Sequence, residues 1–325
     1  MILEALERVL DDHCNSATVR RIEAGDTAGP LWDTIEQGGF LDVLLPEEMG
    51  GAALALPELF PILECLGRHS VALPIAQSIV ARALVGAQAT LPPGRVTIAN
   101  RLQRRTNGDL VCVRTPYGLL ADHVLTHDGE AMLLMPIAGA ERACVGDPRN
   151  STATLTWRNV APVMRLAGDE QVLSAFTAAM AAAMLSGAMQ QTFDMALAYC
   201  NTRVQFGKSI GKFQALQQQL SVMAEHVLAG AIAAECAFRS KGLAPNALAG
   251  AMAKSRTSEA ASLVAATAHA VHGAIGMTDE YDLSLLTRRL HDWRMSYGAE
   301  DYWNQIIGQQ ILSGSGTLVD QVRDI

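Results

Sequence analysis

From Val172 to Phe193 the chain carries no charged residue. A helix of that length, about 30 Å, has to leave water, either into a bilayer or into the interior of a protein. Its residues choose between the two. They are mostly Ala, Met, Ser, Thr and Gly rather than Leu, Ile and Phe, and the flanks are acidic (Asp169, Glu170, Asp194) with no basic anchor. A bilayer span has the opposite character. The stretch therefore reads as a helix buried on all sides within a bundle, its small side chains leaving room for a cavity beside it.

Long helical patterns continue to the end, at about 170 to 201, 212 to 240, 245 to 275 and 281 to 312. Breaks fall at Gly207/Gly211, Gly242/Pro245 and Gly273/Gly276. Four Ala-rich helices with short connections imply an up-and-down bundle. Residues 1–92 read instead as shorter helices separated by Gly and Pro, among them "ILEALERVL", "LPELFPILECLGRHS" and "ALPIAQSIVARALVGAQ". Between them the pattern changes to short β-branched runs, "GRVTIAN", "DLVCVRTPYG", "HVLTHDG", "EAMLLMPI" and "TATLTWRNV". Turn pairs such as Asn107-Gly108 and Asp128-Gly129 separate them, which predicts a small antiparallel sheet. The expected fold is mainly α: an N-terminal helical domain (1–92), a middle antiparallel β domain (93–166) and a C-terminal four-helix bundle (167–325).

With 325 residues and a hydrophobic share of 50%, the chain can bury a large core. A net charge of -8 leaves no basic stripe for a polyanion, which argues against nucleic acid as a partner. Cys14, Cys65, Cys112, Cys144, Cys200 and Cys236 are scattered, without CxxC spacing. They read as reduced thiols of the cytoplasm. The first residues, "MILEALERVLDDHC", are interrupted by Glu4, Glu7 and Arg8, so they form an amphipathic helix rather than a leader peptide.

Three segments carry candidate chemistry. "TRVQFGKSIGKFQALQQQL", 202–220, joins two bundle helices and gathers Arg203, Lys208 and Lys212 beside Gln205, Gln214 and Gln217. A relaxed backbone and a helix start suit an anion, with Arg203 as a bidentate phosphate clamp; a solvated turn is the plainer reading. "AHAVHGAIGMTDEY", 268–281, ends a helix in glycines that would admit a cofactor close to the backbone or merely cap the helix. His269 and His272 have no further partner at ligand spacing and read as satisfied, partly buried histidines rather than a metal site. "HDWRMSYGAEDYWNQI", 291–306, sets Asp292, Glu300 and Asp301 among aromatics, as a base with raised pKa or as a solvent-facing edge.

Together the three segments resemble the acyl-CoA dehydrogenase family of flavoproteins. The family pattern R-x-Q-F-G-K-x-I-x-x-F-Q is met by Arg203, Gln205, Phe206, Gly207, Lys208, Ile210, Phe213 and Gln214. The resemblance implies that this segment reaches the FAD of a paired subunit, with Arg203 on the pyrophosphate and Gln205, Phe206, Ile210, Phe213 and Gln214 along the adenosine half. The second segment is similar to the family's Q-x-x-G-G-x-G turn. Ala270 and Ala274 replace its Gln and second Gly, leaving Val271 and Gly273 as the implied FAD contacts. An acyl-CoA substrate and an electron-transfer flavoprotein as electron acceptor follow from the same resemblance.

The departures matter as much. Family members abstract the α-proton with a glutamate, and an ungapped count puts Tyr297 at that position, a poor base near pH 7. The alternative base position on the first bundle helix falls in Ala175-Phe176-Thr177-Ala178, again without a carboxylate. Glu300 is the nearby substitute. The "T-E-P-x-x-G-S-D" and "W-I-T-N" elements that hold the flavin ring are missing between Leu91 and Leu166. In these respects, and in Arg288-Arg289, the chain resembles shortened subunits that pair with a full-length sister as an α2β2 heterotetramer in bacterial steroid side-chain degradation. The other readings are a self-sufficient homo-oligomer using Glu300, and a scaffold paralogue without catalysis.

Overall fold

The computed structural model describes residues 1–26, 28–86, 88–240 and 242–314. Five helices come first: α1 (Ile2–His13), α2 (Ser16–Glu23), α3 (Gly29–Gln37), α4 (Leu56–Arg68) and α5 (Ile75–Gly86). Their boundaries follow local chemistry. Asn15 accepts from the Thr18 amide at 3.0 Å to start α2, and Glu58 reaches back to the Ala55 amide at 2.9 Å at the head of α4.

Eight short strands follow: β1 (Val96–Ile98), β2 (Gln103–Arg104), β3 (Leu110–Thr115), β4 (His123–His127), β5 (Met132–Pro136), β6 (Glu141–Cys144), β7 (Ala153–Trp157) and β8 (Met164–Leu166). They make two four-stranded sheets, ordered β1-β4-β5-β8 and β2-β3-β7-β6. Pairing is antiparallel except between β1 and β4, which run parallel. The Asn107-Gly108 and Asp128-Gly129 turns connect β2 to β3 and β4 to β5, as their chemistry predicts. Between the sheets lie Cys112, Val124, Met135, Leu155 and Trp157. The Trp157 indole donates to the Pro136 carbonyl at 2.7 Å.

The bundle comprises α6 (Glu170–Thr202), α7 (Gln214–Ala237), α8 (Ala247–His272), α9 (Leu283–Met295) and α10 (Glu300–Ser313). The fourth member, expected as one helix over 281–312, is in two pieces. Tyr297 (φ 59°) and Gly298 (φ 99°) take left-handed backbone and turn the chain between α9 and α10.

Helices α6, α7 and α8 with its following turn are long and apolar enough, by length and composition, to cross a membrane. Most of α6 is instead enclosed by α4, α7, α8 and α9. Its small residues do not line a roomy cavity where they meet neighbouring helices. A Cβ built on Gly187 would come 1.9 Å from the Glu64 carbonyl oxygen of α4, and one on Gly67 would come 2.2 Å from the Met184 oxygen of α6. Two helix backbones thus touch directly, with Ser186 Oγ donating to Glu64 Oε1 at 2.8 Å beside them.

A buried charge cluster joins N-terminal helices, sheets and bundle. Glu23 of α2, its side chain 3% exposed, accepts from Arg288 at 2.5 Å and from Arg289 at 2.9 Å. Arg289 also reaches Asn150 Oδ1 at 3.3 Å. One turn on, both oxygens of Asp292 accept from Thr152 Oγ1 at 3.2 Å, and burial pushes the Asp292 carboxyl above its ordinary range.

Two substitutions test this framework. Gly187→Ala is expected to lower the unfolding free energy by about 1–3 kcal/mol, because the added methyl pushes α4 from α6; chemical denaturation with an unchanged m-value measures it. Glu23→Ala leaves two guanidinium groups buried without their carboxylate and is expected to cost about 3–5 kcal/mol, read as a lowered thermal midpoint.

Candidate functional site

The end of α6 runs directly into the basic segment. Arg203 caps the helix, its amide on the Tyr199 carbonyl at 2.9 Å, and its own carbonyl accepts from Ile210 N at 2.8 Å. Between those two bonds the chain makes a small hairpin, β9 (Val204–Gln205) and β10 (Lys208–Ser209), in which Gln205 faces Lys208. Phe206 (φ 51°) and Gly207 (φ 76°) form its two-residue turn, the left-handed pair that matches strand twist.

This hairpin stands out from the fold. Phe206 is 91% exposed and Val204 60% exposed. Phe213 presents its ring edge-on to Phe206, centroids 6.1 Å apart, and Lys208 Nζ lies 4.3 Å from the centre of the Phe213 ring. Ile210 packs against the bundle core, which roots the hairpin. Phe213 contributes no side-chain cap to α7; Leu216 N donates to the Phe213 carbonyl at 3.0 Å, and the Gln214 and Ala215 N–H groups keep their donor capacity. Gln214 is exposed, and Gln217 Nε2 donates to the Gly211 carbonyl at 3.0 Å. Among the described residues the Arg203 guanidinium has no hydrogen-bond or ion-pair partner. Exposed cation, exposed aromatic and open helix start together make a surface suited to a phosphate joined to a flat heterocycle.

The second segment lies at the same end of the bundle. Tyr199, one turn before Arg203, stacks on His272 with ring centroids 4.5 Å apart, and Tyr281 closes on His272 at 5.0 Å. Val271 is buried there. Gly273 ends α8 at φ 63°, and a Cβ on it would meet nothing within 4 Å, so its backbone is open to an approaching group. His269 and His272 part ways: His269 Nε2 pairs with Thr287 Oγ1 at 2.9 Å, while His272 Nδ1 donates to the Ala268 carbonyl at 2.7 Å. His269 Nδ1 and His272 Nε2 are both buried without a hydrogen-bond partner, contrary to the expectation that both histidines would be satisfied. Burial pulls both imidazoles below their ordinary pKa. The Tyr199–His272–Tyr281 stack is the link that residue-by-residue reading missed; its members lie far apart in sequence.

The candidate base sits apart from this surface. Glu300 is in the first turn of α10, and Arg294 of α9 holds it with two hydrogen bonds, Nε to Oε2 at 2.9 Å and Nη2 to Oε1. That guanidinium holds the Glu300 carboxyl below the usual carboxylate range. A carboxylate held in this way is a weak proton acceptor. Tyr297, at the ungapped base position, is 8% exposed and packs within the core, and burial pushes its hydroxyl up and away from a basic role. On α6, Thr177 Oγ1 meets Asn100 Oδ1 at 3.1 Å and the Ser174 carbonyl at 3.0 Å. Asp292, the acid whose charge bears on Tyr297, already accepts from Thr152.

Comparisons with known proteins bear on the bundle and on the fold as a whole. Residues 171–312 match the family model for the acyl-CoA dehydrogenase C-terminal domain. The acyl-CoA dehydrogenase IpdE2 of Mycolicibacterium smegmatis is 27% identical over 297 residues, covering 90% of this chain and 91% of the relative. Two solved structures share the fold. The ChsE4-ChsE5 complex from Mycobacterium tuberculosis has a TM-score of 0.82 at 20% identity, covering 97% of both chains. The Tcur3481-Tcur3483 steroid ACAD G363A variant has a TM-score of 0.83 at 22% identity, covering 96% of this chain and 97% of that one. The bundle thus matches the acyl-CoA dehydrogenase C-terminal domain, and the whole chain shares its three-part fold with the two solved structures.

Proposed function

We propose that the chain is a subunit of an FAD-dependent acyl-CoA dehydrogenase, one that grips the diphosphate and adenosine of a flavin seated mainly in a sister chain. The observation that carries this reading is the hairpin: an Arg203 guanidinium without a partner among the described residues and a 91% exposed Phe206, both standing outside their own fold. A soluble chain gains nothing by exposing such a group unless something covers it. Arg203 would meet the diphosphate, Gln205, Phe206 and Phe213 the nucleoside side, and Gln214 the approach along the uncapped start of α7. Ile210 would anchor the hairpin, and Val271 and Gly273 would offer backbone from the other turn. When bound, FAD accepts the β-hydrogen of the acyl thioester as hydride while a base removes the α-proton.

The base is assigned to the sister chain, because Arg294 engages Glu300 and Tyr297 is buried. The outer face of α7 supports a companion chain: Val222, Leu228 and Ile232 are 42%, 62% and 52% exposed. The ChsE4-ChsE5 complex, sharing the fold, supports an α2β2 assembly, and the steroid ACAD supports a steroid side-chain acyl-CoA as substrate. In this reading 1–92, 93–166 and 167–325 are the three domains. An electron-transfer flavoprotein takes up the electrons, and the enzyme works in the cytoplasm, in keeping with six free thiols.

Co-expression with the sister chain is expected to give a yellow complex with acyl-CoA dehydrogenase activity, and this chain alone neither; yellow, active protein from this chain alone would establish the homo-oligomer instead. Arg203→Ala in the complex should weaken FAD retention about 10- to 100-fold, the worth of a charge-assisted hydrogen bond; unchanged flavin content after dialysis sinks the clamp. Glu300→Gln should leave turnover within about twofold if the base lies elsewhere, whereas loss of several decades identifies Glu300 as the base.

A further inference from the structure

Lys254 lies in the first third of α8 with 0% exposure. A buried lysine is expensive, and this one is fully engaged: Nζ donates to Ser258 Oγ at 2.7 Å, to the Arg294 carbonyl at 2.8 Å and to the Gly298 carbonyl at 2.9 Å. Three N–H bonds meet three oxygens. Two of those oxygens belong to the turn between α9 and α10. Arg294 is in the last turn of α9, where carbonyls lose their helical partners, and Gly298 is the second residue of the left-handed pair Tyr297-Gly298. The Gly298 carbonyl also accepts from Trp303 Nε1 at 3.2 Å, tying in α10.

The apolar pattern of 281–312 runs through the break; Gly298 loosens the helix there locally, and Lys254 holds the break from outside it. The backbone at the break is strained for Tyr297, a bulky residue at φ 59°. No local cap supplies the missing partners: Ser296 donates its hydroxyl back to the Asp292 carbonyl. Burial lowers the Lys254 ammonium to about 7, Glu300 of α10 pulls it back up and Arg294 of α9 pushes it further down.

We propose that Lys254 is a latch: its amine holds the α9–α10 turn open and thereby folds Tyr297 inward, against Gln77, Tyr117 and Asp292, where bundle, sheets and N-terminal helices meet. The latch acts through position and touches no reacting atom. Without it, α9 and α10 are free to straighten, and Tyr297 leaves the core. The inference rests on this chain's own geometry and stands whether or not the flavin reading does.

The test is hydrogen exchange followed by mass spectrometry on the full-length chain, together with any partner that co-purifies. Lys254→Met keeps the stem and removes the donors. Peptides over 295–303 are expected to exchange about tenfold faster or more, with peptides over α1 and α4 unchanged. Ser258→Ala, which deletes one acceptor and leaves the lysine buried, should give a smaller increase confined to the same peptides, and it decides the matter if Lys254→Met fails to fold. Unchanged exchange over 295–303, or a uniform increase along the chain, overturns the latch.

Discussion

The contact on which the rest depends is the meeting of two helix backbones at Gly67 and Gly187. There α4 and α6 approach so closely that a methyl group on either glycine would overlap a carbonyl of the other helix. Close approach multiplies dispersion contacts along both helices and makes the interface intolerant of added volume. It also places α6 as a spine, with N-terminal helices on one side and the bundle on the other. The far end of that spine is Arg203, so packing at the centre sets where the hairpin points.

Polar chemistry divides into two zones with opposite economies. Inside, Glu23 pairs with Arg288 and Arg289, Asp292 accepts from Thr152 and Lys254 meets three oxygens, while Arg288 Nε and Arg289 Nε stay without a hydrogen bond. Such groups contribute little net stability and much geometric specificity, since each has one arrangement that leaves no charge alone. Outside, the Arg203 guanidinium has no hydrogen-bond or ion-pair partner among the described residues, and Val204 and Phe206 stay exposed. That contrast, between an interior of paired charges and a hairpin that leaves a cation and an aromatic ring uncovered, supports the proposed role of the hairpin at a flavin held elsewhere.

Much of this was legible from residues alone. The chemistry of the 202–220 segment is local, because Arg203, Gln205, Phe213 and Gln214 are closely spaced between a helix end and a helix start, whereas the β9–β10 pairing appears only in the structure. The strand turns at Asn107-Gly108 and Asp128-Gly129 are equally short-range. What escaped was non-local or patternless. Strand β6, Glu141–Cys144, is exposed throughout and shows no alternation; β2 and β8 span two and three residues. The parallel pairing of β1 with β4 depends on partners that no turn connects.

Sequence by itself determined the helix, sheet and bundle order, the burial of α6 and the chemistry of the hairpin, because apolar periodicity and turn chemistry act over a few residues. Only the tertiary structure decided that the last bundle helix would break at Tyr297-Gly298, that Glu300 would be held by Arg294, and that small residues on α6 would admit another backbone rather than open a cavity. Each of those outcomes depends on a partner brought close by folding: Lys254 is 44 residues from Gly298 along the chain, yet its Nζ lies 2.9 Å from that carbonyl. A local preference of a few tenths of a kcal/mol per residue yields when a buried ammonium must find its acceptors.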